Sequence, residues 1–152
     1  MRIHRAPIAS LIALAAIVSA AVSTTVATAN AGPAANACGL VTAAEASTAM
    51  RVTSLPGKAR PTRRGSSCRY YSPDHKMNVF VQTAEAGDMI GAAQLGGKAV
   101  PGVGDKAIWS SGSLFVQKGG KVAQVGLYLS AASMEKMDPA IVTLGRAAAG
   151  RM

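Results

Sequence analysis

Three apolar runs in the second half of the chain constrain its fold more than any other feature. They are Lys106–Ser110, Ser113–Lys118 and Lys121–Leu129, separated by Ser111-Gly112 and Gly119-Gly120. Short apolar runs punctuated by such pairs predict strands joined by tight hairpins. In the third run Ala123, Val125, Leu127 and Leu129 point one way, and Val122, Gln124, Gly126 and Tyr128 the other. In the second run Leu114 and Val116 oppose Phe115 and Gln117. A meander with one better-packed face needs a cover, which the rest of the chain must supply.

The chain opens like an export signal. Arg2 and Arg5 precede an apolar run, Ile8–Val22, too short for a comfortable membrane span. Small-residue cleavage patterns follow at Ala27-Thr28-Ala29 and Ala29-Asn30-Ala31. An uncleaved anchor is one alternative. Lipid attachment at Cys38 is another, but Asn36-Ala37 fits a lipid-attachment box poorly. The expected division is a signal peptide over 1–31, a flexible leader over 32–37 and one domain over 38–152. The expected location is outside the cytoplasm, secreted, periplasmic or in the cell envelope.

Two cysteines remain after the signal, Cys38 and Cys68. Export implies oxidising conditions, so a single disulfide is the default. A redox or metal pair lacks both a CxxC spacing and histidine partners.

Local signals place the other elements. Thr42-Ala43-Ala44-Glu45 is a capping box that predicts a helix over Ala43–Met50. A brief strand is expected at Val52–Leu55. Pro56–Ser66 has two prolines and two glycines and reads as an exposed loop. A hairpin over Ser67–Tyr71 and Met77–Thr83 turns at Ser72–Lys76, where Pro-Asp is good turn chemistry. Glu85–Leu95 looks helical, with Met89, Ile90 and Ala93 on its apolar side. Asp138 can cap a final helix with Pro139 at its first position. The expected fold is α+β, an antiparallel sheet with helices packed on one face. The order of elements hints at two similar halves.

The order Cys38-Gly39-Leu40-Val41-Thr42 with Glu45, Ser67-Cys68-Arg69-Tyr70, and Val100-Pro101-Gly102-Val103-Gly104-Asp105-Lys106-Ala107, before paired strands and an Ala-rich terminal helix, carries a resemblance. It resembles a family of small secreted or lipid-anchored bacterial domains of unknown function. The resemblance implies a disulfide and an α+β domain, and it brings no catalytic residues.

Charge narrows the partners. Arg2 and Arg5 leave with the signal, so fourteen basic residues face seven acids, a net charge of +7. Such a balance suits anionic lipid, wall polymers or acidic proteins. Lys58, Arg60, Arg63 and Arg64 cluster in the expected loop with no acid among them, and are the candidate contacts to an anionic surface. The cluster has no interleaved aromatics, which argues against specific nucleic-acid binding. Trp109, Phe115 and Tyr128 lie on adjacent expected strands and are the candidate aromatic patch on the sheet face.

Enzyme chemistry finds little support. His75 is the one histidine left after the signal, and it sits in a hairpin turn. No Gly-x-Ser-x-Gly elbow supplies a nucleophile. Gly102-x-Gly104-x-x-Ala107 matches a dinucleotide fingerprint in letters only, because it leads into a strand rather than a helix. Gly102 and Gly104 are better explained by positive φ angles, with Asp105 hydrogen-bonded to turn amides. The expectation is a small exported binding domain, non-enzymatic and without cofactor. The alternative is a peripheral envelope protein held on anionic surfaces by charge, and a hydrolase with an unrecognised site ranks behind both.

Overall fold

The computed structural model describes residues 36–63, 65–130 and 136–152. The expected signal peptide, the leader over 32–35 and Arg64 lie outside the described residues.

Two meanders make one sheet. The first is β1 (Lys58–Thr62), β2 (Gly65–Tyr71) and β3 (Asn78–Ala84). The second follows the short β4 (Lys98–Ala99) and comprises β5 (Lys106–Ser110), β6 (Ser113–Lys118) and β7 (Lys121–Tyr128). All neighbours are antiparallel, in the order β1-β2-β3-β7-β6-β5-β4. The meanders meet where β3 pairs with β7, Val81 opposite Val125. The register continues outward to Cys68 and Ala59 on one side and to Leu114 and Trp109 on the other. The strands therefore form two similar halves, as the order of elements hinted.

Side-chain alternation decides what each face buries. Cys68, Tyr70, Val79, Val81, Leu114, Val116, Val125 and Leu127 share one face and form the main core. Helices α1 (Ala37–Leu40), α2 (Ala43–Met50) and α4 (Pro139–Arg151) cover it with Leu40, Ala46, Met50, Ile141, Leu144 and Ala148. The capping box of α2 forms in full. The Glu45 amide donates to Thr42 Oγ1 at 3.2 Å, and the Thr42 amide donates to Glu45 Oε2 at 2.8 Å. Asp138 caps α4 by accepting from the Ala140 amide at 2.8 Å. Gly145 lets α4 lie close to β6, because a Cβ there would stand 2.5 Å from Leu114 Cδ2.

The disulfide joins Cys38 on α1 to Cys68 on β2. Tyr70 reinforces the joint by donating its hydroxyl to the carbonyl oxygens of Val41 and Cys38. Burial is the main cause that pushes the Tyr70 phenol up, with the nearby Glu45 charge second. Gly57 crosses directly over this corner. A Cβ there would lie 2.5 Å from the Tyr70 ring and 2.8 Å from Cys68 Sγ.

Four expectations need correction. The helices do not all share one face. Helix α3 (Ala86–Gln94) packs Met89 and Ala92 on Ile108 and Val122, on the reverse side of the sheet. The main core face is already filled by three helices, and the link from β3 to the far edge strand β4 crosses behind it. Val52–Leu55 forms no strand, since Ser54 instead hydrogen-bonds Ser47 and the Leu55 amide donates to the Tyr71 carbonyl. The expected loop Pro56–Ser66 holds the edge strand β1, whose pairing to β2 supplies what its own apolar content does not. Pro61 is tolerated there because an edge strand has one unpaired side. Finally, Ala37 belongs to the domain rather than to a leader, being wholly buried in α1.

Candidate functional site

The reverse side of the sheet is divided. Helix α3 covers its β5–β7 part, while the part built by β1, β2, β3 and the end of β7 is open. Three cross-strand rows cross this reverse side, exposed at Lys58, Arg60 and Arg69 and closed off at Gly126, Ser113 and Phe115. The central row runs Lys58, Arg69, Phe80, Gly126, Ser113. On one side lies Tyr71, Asn78, Tyr128. On the other lies Arg60, Ser67, Gln82, Gln124, Phe115.

The central row is organised by a missing side chain. Gly126 has no Cβ, and the Phe80 ring occupies the space one would fill. The ring lies down against β7 and offers a surface to its neighbours. The Arg69 guanidinium carbon stands 5.6 Å from the Phe80 ring centroid and 6.0 Å from that of Tyr71. Arg69 Nη1 approaches the Tyr71 hydroxyl at 3.5 Å. The two rings attract the guanidinium by cation–π contact and keep it over this face of the sheet. Tyr71 is in turn held by the His75 ring, 5.1 Å away.

Shallow depressions adjoin these rows. One of about 200 Å³ is lined by Lys58, Arg60, Ser67, Arg69 and Tyr71. A second, about 350 Å³, begins at the same Arg69 and runs past Asn78 and Phe80 to Tyr128. A third, about 360 Å³, lies between Arg63, Gln82, Gln124 and the start of α3. Gln124 is oriented by donating to Ser113 Oγ at 3.0 Å. The floor thus combines cations, amides and aromatic surface.

Carboxylates elsewhere are engaged. Arg151 binds Glu45 at 2.8 Å, and this contact holds the Glu45 carboxyl well below the usual range, at about 2. Lys118 binds Asp105 at 2.7 Å and lowers its pKa, with the Gly119 amide assisting. The Ser72 hydroxyl donates to Asp74 and lowers its pKa. Among the described residues, Lys58, Arg60, Arg63 and Arg69 make no ion pair.

The sequence candidates are only partly brought together. Lys58 and Arg60 share the open face, and Arg63 sits in the turn that follows β1. The aromatic patch of Trp109, Phe115 and Tyr128 does not exist. Trp109 pairs with Leu114 on the main core face and is buried. Phe115 is half-buried against the core beneath α3, and Tyr128 lies exposed at the far end of β7. Adjacent strands did not mean a common face, because Trp109 has the opposite parity in its register. Gly102 and Gly104 have φ of 73° and 59°, as a structural turn requires. Asp105 also accepts from the Gly119 amide at 2.8 Å, tying that turn to the β6–β7 hairpin. The residues that sequence reasoning passed over are Arg69, Tyr71 and Phe80. The signal was present in the alternation of Arg69 and Tyr71 with the core residues Cys68 and Tyr70.

Among the described residues no group of three His, Cys, Asp or Glu side chains could hold a metal ion. Among them, too, no helix is long and apolar enough to cross a membrane. No protein-family model matches the chain, and neither a curated protein nor a solved structure matches it.

Proposed function

We propose that this protein is a non-enzymatic binding domain, acting outside the cytoplasm, that holds anionic ligands on the open half of its sheet. The observation that carries the reading is Arg69, held beside the rings of Phe80 and Tyr71 with Lys58 opposite it and Arg60 one row away. A guanidinium already drawn to two rings loses less freedom when it forks onto a carboxylate or phosphate. The export signal and the resemblance to small secreted or lipid-anchored domains support the location.

The test is retention on immobilised heparin, a soluble-type polyanion, with elution by salt. Near an anionic surface each such cation contributes about 1 kcal/mol, falling off within a Debye length. Replacing Lys58, Arg60 and Arg69 together by Ser therefore weakens binding on the order of 100-fold at low salt. The three side chains are exposed, so the melting temperature stays nearly unchanged. Elution of the triple variant at the wild-type salt concentration would refute the reading.

A further inference from the structure

Helix α3 has an unusual solvent side. Its inward residues, Met89 and Ala92, rest on the sheet. Its outward residues are Ala86, Gly87, Ile90, Ala93 and Gln94, followed by Leu95, and none carries a charge. Ile90 is 58% exposed and Leu95 80% exposed. A surface helix normally turns charged residues to water. The two acids of this helix region, Glu85 and Asp88, sit at its start, where the Asp88 carboxylate accepts from the Glu85 amide at 2.9 Å. The end carrying Ile90 and Leu95 has no acid, and Lys98 follows it.

This apolar ridge stands on the same side of the sheet as the cationic floor. Lys58, Arg60 and Arg69 lie toward one edge. Lys106, two positions before Ile108 on β5, is exposed on the same side toward the other. We infer that this side of the protein docks on an anionic phospholipid bilayer. Ile90 and Leu95 enter the headgroup–acyl boundary, and the flanking cations meet lipid phosphates. The inference rests on the reading of the basic floor and adds the helix to it. Charge complementarity selects the bilayer as occupant, since uncharged aliphatic side chains with cations to either side, and acids only at the start of the helix, match a surface that is apolar beneath and anionic above. The sheet-borne cations stand behind the helix layer and attract the headgroups across it, within about a Debye length of 8–10 Å. One short ridge and a few cations each bind weakly, so the attachment is reversible and needs both.

The experiment is co-sedimentation with vesicles of phosphatidylcholine, with and without phosphatidylglycerol, alongside heparin retention. Wild type and variants are compared in the same processed form, so any contribution of the apolar run at the start of the chain cancels. Wild type should sediment with the phosphatidylglycerol vesicles and not with phosphatidylcholine alone. Changing Ile90→Ser together with Leu95→Ser should lower vesicle partitioning at least about tenfold, from the lost apolar burial, while heparin retention and melting temperature stay unchanged. Equal sedimentation of the double variant and wild type would overturn the inference. Failure of wild type to sediment while heparin still retains it would overturn the inference and leave the basic floor standing. Loss of heparin retention only in the Lys58, Arg60 and Arg69 variant supports the floor independently of the helix.

Discussion

Breaking the Cys38–Cys68 bond should remove about 3.6 kcal/mol of stability. The bond closes a loop with a sequence separation of 30 residues, and that length sets the chain entropy it withholds from the unfolded state. Reduction by dithiothreitol tests this effect most directly, because it breaks the S–S bond and adds one hydrogen to each sulfur without removing any heavy atom. The double change Cys38→Ala and Cys68→Ala adds the deletion of a wholly buried sulfur packed under Gly57, so it should cost somewhat more. Native structure should persist in both forms. The Ala37 amide still donates to Ser66 Oγ at 2.8 Å, and Tyr70 still holds the Val41 carbonyl, so α1 stays docked. Urea denaturation followed by far-ultraviolet circular dichroism reads the loss. At a slope of about 1.5 kcal/mol/M, the midpoint falls by about 2.4 M with the slope little changed. Thiol labelling of the unfolded, unreduced protein should find no free cysteine. An unchanged midpoint after complete reduction would refute the reasoning, since the loop would then be constrained by something other than the bond.

Acid should loosen the contact between α2 and α4. Glu45 titrates near 4.5 in the unfolded chain and near 2 when folded, chiefly because Arg151 hydrogen-bonds it, so its contribution is whole above pH about 4.5 and lost toward pH about 2. Both side chains are about a third exposed, which holds the effect to about 1–2 kcal/mol, and Glu45→Gln should flatten the stability profile over that window. Gly104→Val should destabilise by about 3 kcal/mol, because φ is +59° and a Cβ would press on the Gln117 carbonyl oxygen. A Gly104→Val variant that melted normally but lost heparin retention would move Pro101–Asp105 from structural turn to site.

What the sequence disclosed follows the range of the interactions involved. The capping box at Thr42, the Asp138-Pro139 start of α4 and the strands from Lys106 to Tyr128 rest on signals within a few residues, and all were legible. The cysteine pair was legible from chemistry rather than from contacts. Strand β1 was hidden because its pairing partner, not its own composition, makes it a strand. The side taken by α3 was hidden because it depends on α1, α2 and α4 having filled the other side. The candidate site divides in the same way. Lys58 and Arg60 stood out as a charge run, but their convergence with Arg69 needs the β1–β2 register. The place of Phe80 needs Gly126, 46 positions later, to be opposite it. Trp109 failed as a surface residue for a single reason of parity.

The joint between β3 and β7 imposes an order on folding. A chain made from its amino terminus completes both cysteines and the antiparallel unit β1-β2-β3 before any of β7 exists. These pairings are local and close quickly, whereas Val81 must wait for Val125 across 44 residues. In that interval β3 presents a bare edge carrying Val79 and Val81, the kind of template that recruits a strand from another molecule. Early closure of the cysteine link would shorten the wait's danger by holding the first unit compact. The vulnerable species in the life of this protein is therefore its own amino-terminal half, and aggregation at high synthesis rates should be nucleated by β3 rather than by the outer strands of the finished sheet.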